Sequence, residues 1–144
     1  MGQVSASSSV DVGAAPEAAL AAVADYQTVR PRILSEHYHD YSVIEGGQGA
    51  GTVVAWSLKA TEKRTRHVKA TITVAGDTVT ETDANSSMVT TWTVTPNGSG
   101  STVTTTTTWT GAGGIGGFFE KIFAPLGLKK IQAAVLANLA RELA

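Results

Sequence analysis

The sequence predicts an α+β fold: a seven-stranded, curved antiparallel sheet wrapped around a long C-terminal helix, with two short helices between the first and second strands. Three observations predict it. Short, turn-punctuated strands run from about Thr52 to Trp109, a Gly-rich stretch follows at Gly111 to Gly117, and a helical period then occupies Phe118 to Leu143. A sheet that curls around one helix leaves a hollow, and a hollow lined by strand side chains is suited to holding something apolar.

Each element has its own signal. Val4 to Val12 alternates, with Val4, Ala6, Val10 and Val12 on one side, and reads as the first strand. Pro16 and Glu17 then open a helix over Pro16 to Asp25, since both residues suit a first turn where N–H groups are unpaired and the dipole is positive. Its Leu20, Val23 and Ala24 face the core. Tyr26 to Leu34 forms a second short helix limited by Pro31, and His37 to Glu45 is the second strand.

The hairpin turns fix which face of the sheet is inward. Gly76-Asp77, Asn85-Ser86 and Gly98-Ser99 each suit a two-residue turn, so Val74 lies beside Val79, Asp83 beside Met88 and Val94 beside Val103. Every hairpin then puts apolar residues on one face: Val68, Ala70, Ile72, Val74, Val79, Met88, Trp92, Val94, Val103 and Trp109. A three-residue turn at Glu62-Lys63-Arg64 adds Val54, Trp56 and Leu58. The other face carries threonines such as Thr71, Thr73, Thr80, Thr93, Thr104 and Thr106, as a solvated strand surface does. In the final helix, Pro125 and Gly127 should kink or interrupt the start. Beyond them Leu128, Ile131, Val135, Leu139 and Leu143 form the stripe that packs on the sheet.

Composition narrows the function classes. The 144 residues suit one domain, 1–144, and 11 Lys and Arg against 12 Asp and Glu leave no field to attract nucleic acid or an anionic membrane. The absence of cysteine excludes disulfides and thiolate chemistry and fits a cytoplasmic location. The N-terminus does not read as a signal peptide, and no apolar run has the length of a membrane span. The expected partner is a hydrophobic small molecule, with no nucleic acid, no integral membrane association and a monomer or homodimer as the assembly. No cofactor is expected.

In the order of its motifs the chain resembles the START and polyketide cyclase-like superfamily, also called SRPBCC, whose fold is the helix-grip. The resemblance rests on Val10-Asp11-Val12 ending the first strand, Ala15-Pro16-Glu17 with Val23-Ala24-Asp25, and the Gly-rich Gly46-Gly47-Gln48-Gly49-Ala50-Gly51-Thr52-Val53. The meander and the long helix complete it, so nearly the whole chain is covered. One departure is Val29-Arg30-Pro31-Arg32, where many relatives carry Trp followed by Pro. The resemblance implies an enclosed apolar cavity between sheet and helix, used by different members for lipid or hydrophobic-ligand binding, polyketide cyclisation or partner regulation.

The inward face is not wholly apolar. Glu81 and Asp83 point inward, Glu81 lies opposite Thr90, Thr90 lies opposite Thr107, and Thr105 is two residues along, so a polar strip crosses a greasy wall. A buried carboxylate must be hydrogen-bonded, neutralised or facing a wet cavity, although a strand end could leave Asp83 simply in water. Arg66 shares the parity of Val68 at the rim and can anchor an anionic head group. The expected ligand wall is therefore Trp56, Arg66, Ile72, Glu81, Thr90, Trp92, Thr105, Thr107 and Trp109, with Phe119 and Phe123 swinging over the opening on the glycines. A cavity for a drug-sized molecule runs to roughly 300–1,000 Å³, and a much smaller void would leave a scaffold.

Other motifs carry less. Gly111 to Gly116 matches G-x-G-x-x-G, but a dinucleotide site needs a following parallel strand and an acidic residue about 20 positions on. His37 and His39 share a strand side without a third ligand, so no metal site is expected. Lys59, Lys63, Arg64, Arg66 and Lys69 form a solvated hairpin. Three readings stay open: a carrier or sensor of a lipid, fatty acid or polyketide-like molecule; a cyclase or aromatase using Arg66 and Glu81 for proton transfer and enolate stabilisation; and a regulatory or toxin-like interaction protein. No catalytic residue is fixed by the sequence, and the carrier reading takes precedence over the enzymatic one.

Overall fold

The computed structural model describes residues 3–61, 64–110 and 114–144, with side chains at 3–59, 65–110 and 125–144. The elements are β1 (Gln3–Val12), α1 (Pro16–Val23), α2 (Val29–Ile33), β2 (Tyr38–Glu45), β3 (Val53–Thr61), β4 (Arg64–Ala75), β5 (Thr78–Asp83), β6 (Val89–Asn97), β7 (Gly100–Thr110) and α3 (Gly114–Glu142). The strands form one seven-stranded antiparallel sheet in the order β1-β7-β6-β5-β4-β3-β2. This is the α+β helix-grip architecture.

The registers follow the turns. Val74 pairs with Val79, Glu81 with Thr90, Thr90 with Thr107 and Val94 with Val103. One hairpin differs from expectation: Arg64 already opens β4 opposite Thr61, and a register shift between Lys59 and Thr61 absorbs the difference. Glu62 and Lys63 lie outside the described residues. Facing survives the slip, because Trp56 sits opposite Val68 where the expected turn would put Ala70, and a displacement of two leaves parity along a strand unchanged.

Val4, Ala6, Val54, Trp56, Val68, Ala70, Ile72, Val79, Trp92, Val94, Val103 and Trp109 are buried on the concave side. The other face exposes or half-exposes its threonines. Val74 lies at the end of its strand and is 37 % exposed, so the shared face does not bury it. α1 begins with Pro16 in its first turn and Glu17 near the N-terminal dipole, and it ends sooner than expected. Ala19, Ala22 and Val23 are its buried residues, whereas Leu20 and Ala24 are half-buried against the core. β2 begins at Tyr38, leaving His37 in the preceding turn with Nδ1 3.3 Å from Ser35 Oγ.

α3 starts earlier than the periodicity predicts, at Gly114, and its helical path continues through Pro125 and Gly127 rather than being interrupted there. The expected hinge at Gly111, Ala112 and Gly113 lies outside the described residues. Ile131, Val135, Leu136 and Leu139 are buried against the sheet, while Lys130, Ala133, Ala137 and Arg141 are exposed or half-exposed. Gln132 fastens the helix to β1, donating from Nε2 to the Ala6 carbonyl at 3.1 Å and accepting from Ser8 Oγ at 2.9 Å. Among the described residues no helix is long and apolar enough to cross a membrane.

Candidate functional site

At the centre of the sheet, Glu81 on β5 is turned inward and only 5 % exposed. A lone carboxylate in that position would be costly. Three donors from separate elements converge on its Oε2: Arg30 Nη1 at 2.8 Å, the Tyr26 hydroxyl at 2.5 Å and Trp92 Nε1 at 3.1 Å. Arg30 is itself 4 % exposed, and its guanidinium lies 4.4 Å from the Tyr26 ring centroid and 4.8 Å from that of Trp92. The cation is thus held between two aromatic faces, whose quadrupoles favour it, while its edge meets the anion.

Local sequence places each of these groups. α2 is a five-residue helix in which Arg30 and Ile33, three apart, are buried, while Arg32 is directed outward. Asn138 Nδ2 donates to the Ile33 carbonyl at 2.9 Å, and Arg32 Nη1 meets Glu142 Oε2 at 3.0 Å, so α3 holds α2 against the sheet. Tyr26 is fixed by the Gly-rich loop after β2: its N–H donates to the Gly47 carbonyl at 2.8 Å, and its own carbonyl accepts from the Tyr41 hydroxyl at 2.6 Å. That loop needs glycine at position 46, where φ is +68° and an added Cβ would stand 2.9 Å from Thr52 Oγ1.

The network shifts the titration of its members. Burial pushes the Tyr38 phenol up to about 12, with Arg30 acting against the rise and Glu81 with it. Burial likewise raises Tyr26 and Tyr41 above the ordinary tyrosine range, and for Tyr26 the adjacent Glu81 carboxylate adds to the rise. For Arg30 burial pulls downward, but Glu81 and Tyr26 outweigh it, and the guanidinium is held more firmly protonated than usual.

Beside the ion pair lies a cavity of about 40 Å³, bordered by Arg30, Leu34, Tyr38, Trp56, Leu58, Glu81, Met88, Thr90, Trp92, Thr105, Thr107, Leu128, Gln132 and Val135. It brings together Trp56, Glu81, Thr90, Trp92, Thr105 and Thr107, as the strand parities predict. Thr90 Oγ1 and Thr107 Oγ1 are 2.7 Å apart. Ile72 and Trp109 are buried in the core and do not border this cavity. Arg66 is half-buried opposite Leu58, likewise away from the cavity wall, and Glu81 takes its cation from Arg30 instead. Phe119 and Phe123 lie outside the described side chains. Among the described residues this volume is far below the expected roughly 300–1,000 Å³ and holds only a few waters.

Asp83 is buried too, contrary to the solvated strand end considered from sequence. Its Oδ1 accepts from the N–H groups of Lys69 and Asn85, both at 3.0 Å, and its Oδ2 from Ser86 Oγ at 2.6 Å. It organises the β5–β6 turn and does not border the cavity. Arg30, Tyr26 and Gln132 are site residues that lie off the strands, where strand parity does not reach, and Tyr38 opens β2 opposite Leu58. The available signal was the three-residue spacing of Arg30 and Ile33, which sets a cation on the buried face of a very short helix.

A sheet bent around one long helix, with a polar cluster in the hollow between them, defines a helix-grip protein of the SRPBCC superfamily. The family model described as "Polyketide cyclase / dehydrase and lipid transport" matches residues 3–144, and the chain belongs to that family. No curated protein is similar enough in sequence to count as a match. Among solved structures, the NMR structure of the KanY protein (ms6282) is 64 % identical, with 99 % of each chain covered and a TM-score of 0.91. The protein TTHA0849 from Thermus thermophilus is 16 % identical over 99 % of this chain and 97 % of its own, with a TM-score of 0.77. The Zhui aromatase/cyclase from a Streptomyces species is 12 % identical over 99 % and 94 %, with a TM-score of 0.74. These last two share the fold.

Proposed function

We propose that this protein binds a small, largely apolar molecule in the hollow between the sheet and α3, as a carrier or sensor rather than an enzyme. The observation that carries the reading is the composition of the cavity wall. Leu34, Trp56, Leu58, Met88, Trp92, Leu128 and Val135 supply an apolar lining, and a few polar groups, Arg30 and Glu81 among them, border the same cavity. Membership of a family described by lipid transport and polyketide chemistry supports the same reading. A volume of about 40 Å³ means that binding must enlarge the hollow, and the unbranched Met88 together with three leucines gives the wall side chains that can change rotamer.

A carrier accounts for the geometry better than a cyclase does. The cyclase reading needs Arg66 and Glu81 together at the substrate, but Arg66 does not border the cavity, and Glu81 Oε2 is engaged by three donors. Native mass spectrometry of protein isolated from its own host, followed by displacement of the uncharged apolar fluorophore Nile red, tests the proposal. A co-purifying small molecule or saturable displacement supports it. A protein that carries nothing and displaces nothing overturns it and leaves a scaffold.

A further inference from the structure

Two side chains on the cavity wall have hydrogen-bond donors that no described protein group satisfies. Arg30 directs one nitrogen, Nη1, at Glu81, while its Nε and Nη2 are buried without a protein acceptor. Trp56, 7 % exposed, likewise has a buried Nε1 with no acceptor among the described residues. Both residues border the same cavity. Guanidinium and indole N–H groups only donate, so whatever meets them must offer lone pairs. Buried donors are normally satisfied, so a ligand that enlarges the cavity and brings an oxygen to these groups would supply the missing acceptor.

We infer that the cavity selects ligands carrying a neutral carbonyl oxygen, received by Arg30 and Trp56 within a largely apolar pocket. This rests on the ligand-binding reading above. The oxygen is neutral because the charge of Arg30 is already balanced by Glu81 at 2.8 Å, so an incoming carboxylate would bring a second negative charge beside a buried anion. An ammonium is rejected for the opposite reason, since it adds donors where donors are in surplus. Arg30 is poised for this task before any ligand arrives, clamped between the Tyr26 and Trp92 rings and paired at one nitrogen only. Such fixed donors lose little freedom on binding.

The probes that test this are acetophenone, ethylbenzene and benzoate, which share a compact aromatic body and differ in the group presented. Titration of the isotope-labelled protein at neutral pH gives each affinity and follows the indole N–H resonance of Trp56, assigned as the one missing in Trp56→Phe. Acetophenone is expected to bind about tenfold tighter than ethylbenzene, as a hydrogen bond from a charged donor warrants, and to shift that resonance selectively. In Trp56→Phe the ratio of acetophenone to ethylbenzene affinity should fall, whatever the change in overall affinity. Equal binding of acetophenone and ethylbenzene overturns the inference and leaves a plain apolar pocket. Tighter binding of benzoate than of acetophenone overturns the neutral-oxygen assignment. If none of the three binds while the uncharged fluorophore Nile red does, the inference alone fails; if Nile red does not bind either and nothing co-purifies with the protein, the ligand-binding reading fails with it.

Discussion

Glu81 and Asp83 stand two residues apart on β5, share a face and are equally buried, at 5 % exposure each, yet the two ends of this short strand treat their carboxylates differently. At the turn end, Asp83 is satisfied within its own neighbourhood, by the backbone N–H groups of Lys69 and Asn85 and the Ser86 hydroxyl. In the middle of the sheet, Glu81 draws its partners from far along the chain: Tyr26 is 55 residues away, and a full cation comes from α2. The difference teaches what each carboxylate is for. Local backbone donors fold a turn. A long-range cation with donors to spare builds a surface that something else must complete.

The sharpest way to break that comparison is to remove one member of the ion pair. Glu81→Leu leaves Arg30 buried and uncompensated and should cost about 3–5 kcal/mol, as urea denaturation would read. Arg30→Met with Glu81→Leu should recover part of that loss, the remainder being the Tyr26 hydroxyl and Trp92 indole N–H left without their acceptor. A double variant as unstable as the single one would mean that the pair is essential to the fold. Asp83→Ala is expected to lose less, about 2 kcal/mol, because water can reach the exposed turn and replace part of what the carboxylate supplied. If Asp83→Ala proved the costlier, the distinction between a turn carboxylate and a cavity carboxylate would disappear.

Titration sharpens the contrast from the cavity side. The chain has 3 tyrosines, Tyr26, Tyr38 and Tyr41, and burial raises all of them. A raised phenol means that the folded state holds its proton longer than the unfolded state does. The associated stability is therefore fully present below about pH 10, the unfolded value, and for Tyr38 is lost as pH rises through about 12. Absorbance near 295 nm should show almost no phenolate in the native protein at a pH where the guanidinium-unfolded chain is half ionised. An ordinary tyrosine titration in the folded protein would argue against burial of these phenols. The smallest effect belongs to the Arg32–Glu142 pair at the surface, where Arg32→Ala should change stability by no more than about 0.5 kcal/mol and less in high salt.

Much of the wall was legible in the sequence because strand parity is a strong constraint. Once the four hairpins joining β3 to β7 are fixed, Trp56, Glu81, Trp92, Thr105 and Thr107 must share a side. The size of the hollow was not legible, since it depends on how closely α2 and α3 approach the sheet. Nor was the partner of Glu81. Arg66 had the right parity on β4 and was the natural choice, but parity says only which face a side chain is on, not which helix lies over it. Arg30 reaches Glu81 because the Gly-rich loop and α3 together seat α2, a tertiary arrangement with no periodic trace in the chain. The inward direction of Asp83 was legible from parity, but its partners were not, because the carboxylate is enclosed by the turn it organises.

β2 is an edge of the sheet, and it is an irregular one. Its ladder with β3 breaks register twice, and Asp40 sits at a φ of +56°, a left-handed conformation that few non-glycine residues adopt. A newcomer strand laid against it would find amide and carbonyl groups out of step with its own. The molecule thereby blunts one of its two open rims as a template for aggregation, a safeguard written into backbone shape and not into surface charge.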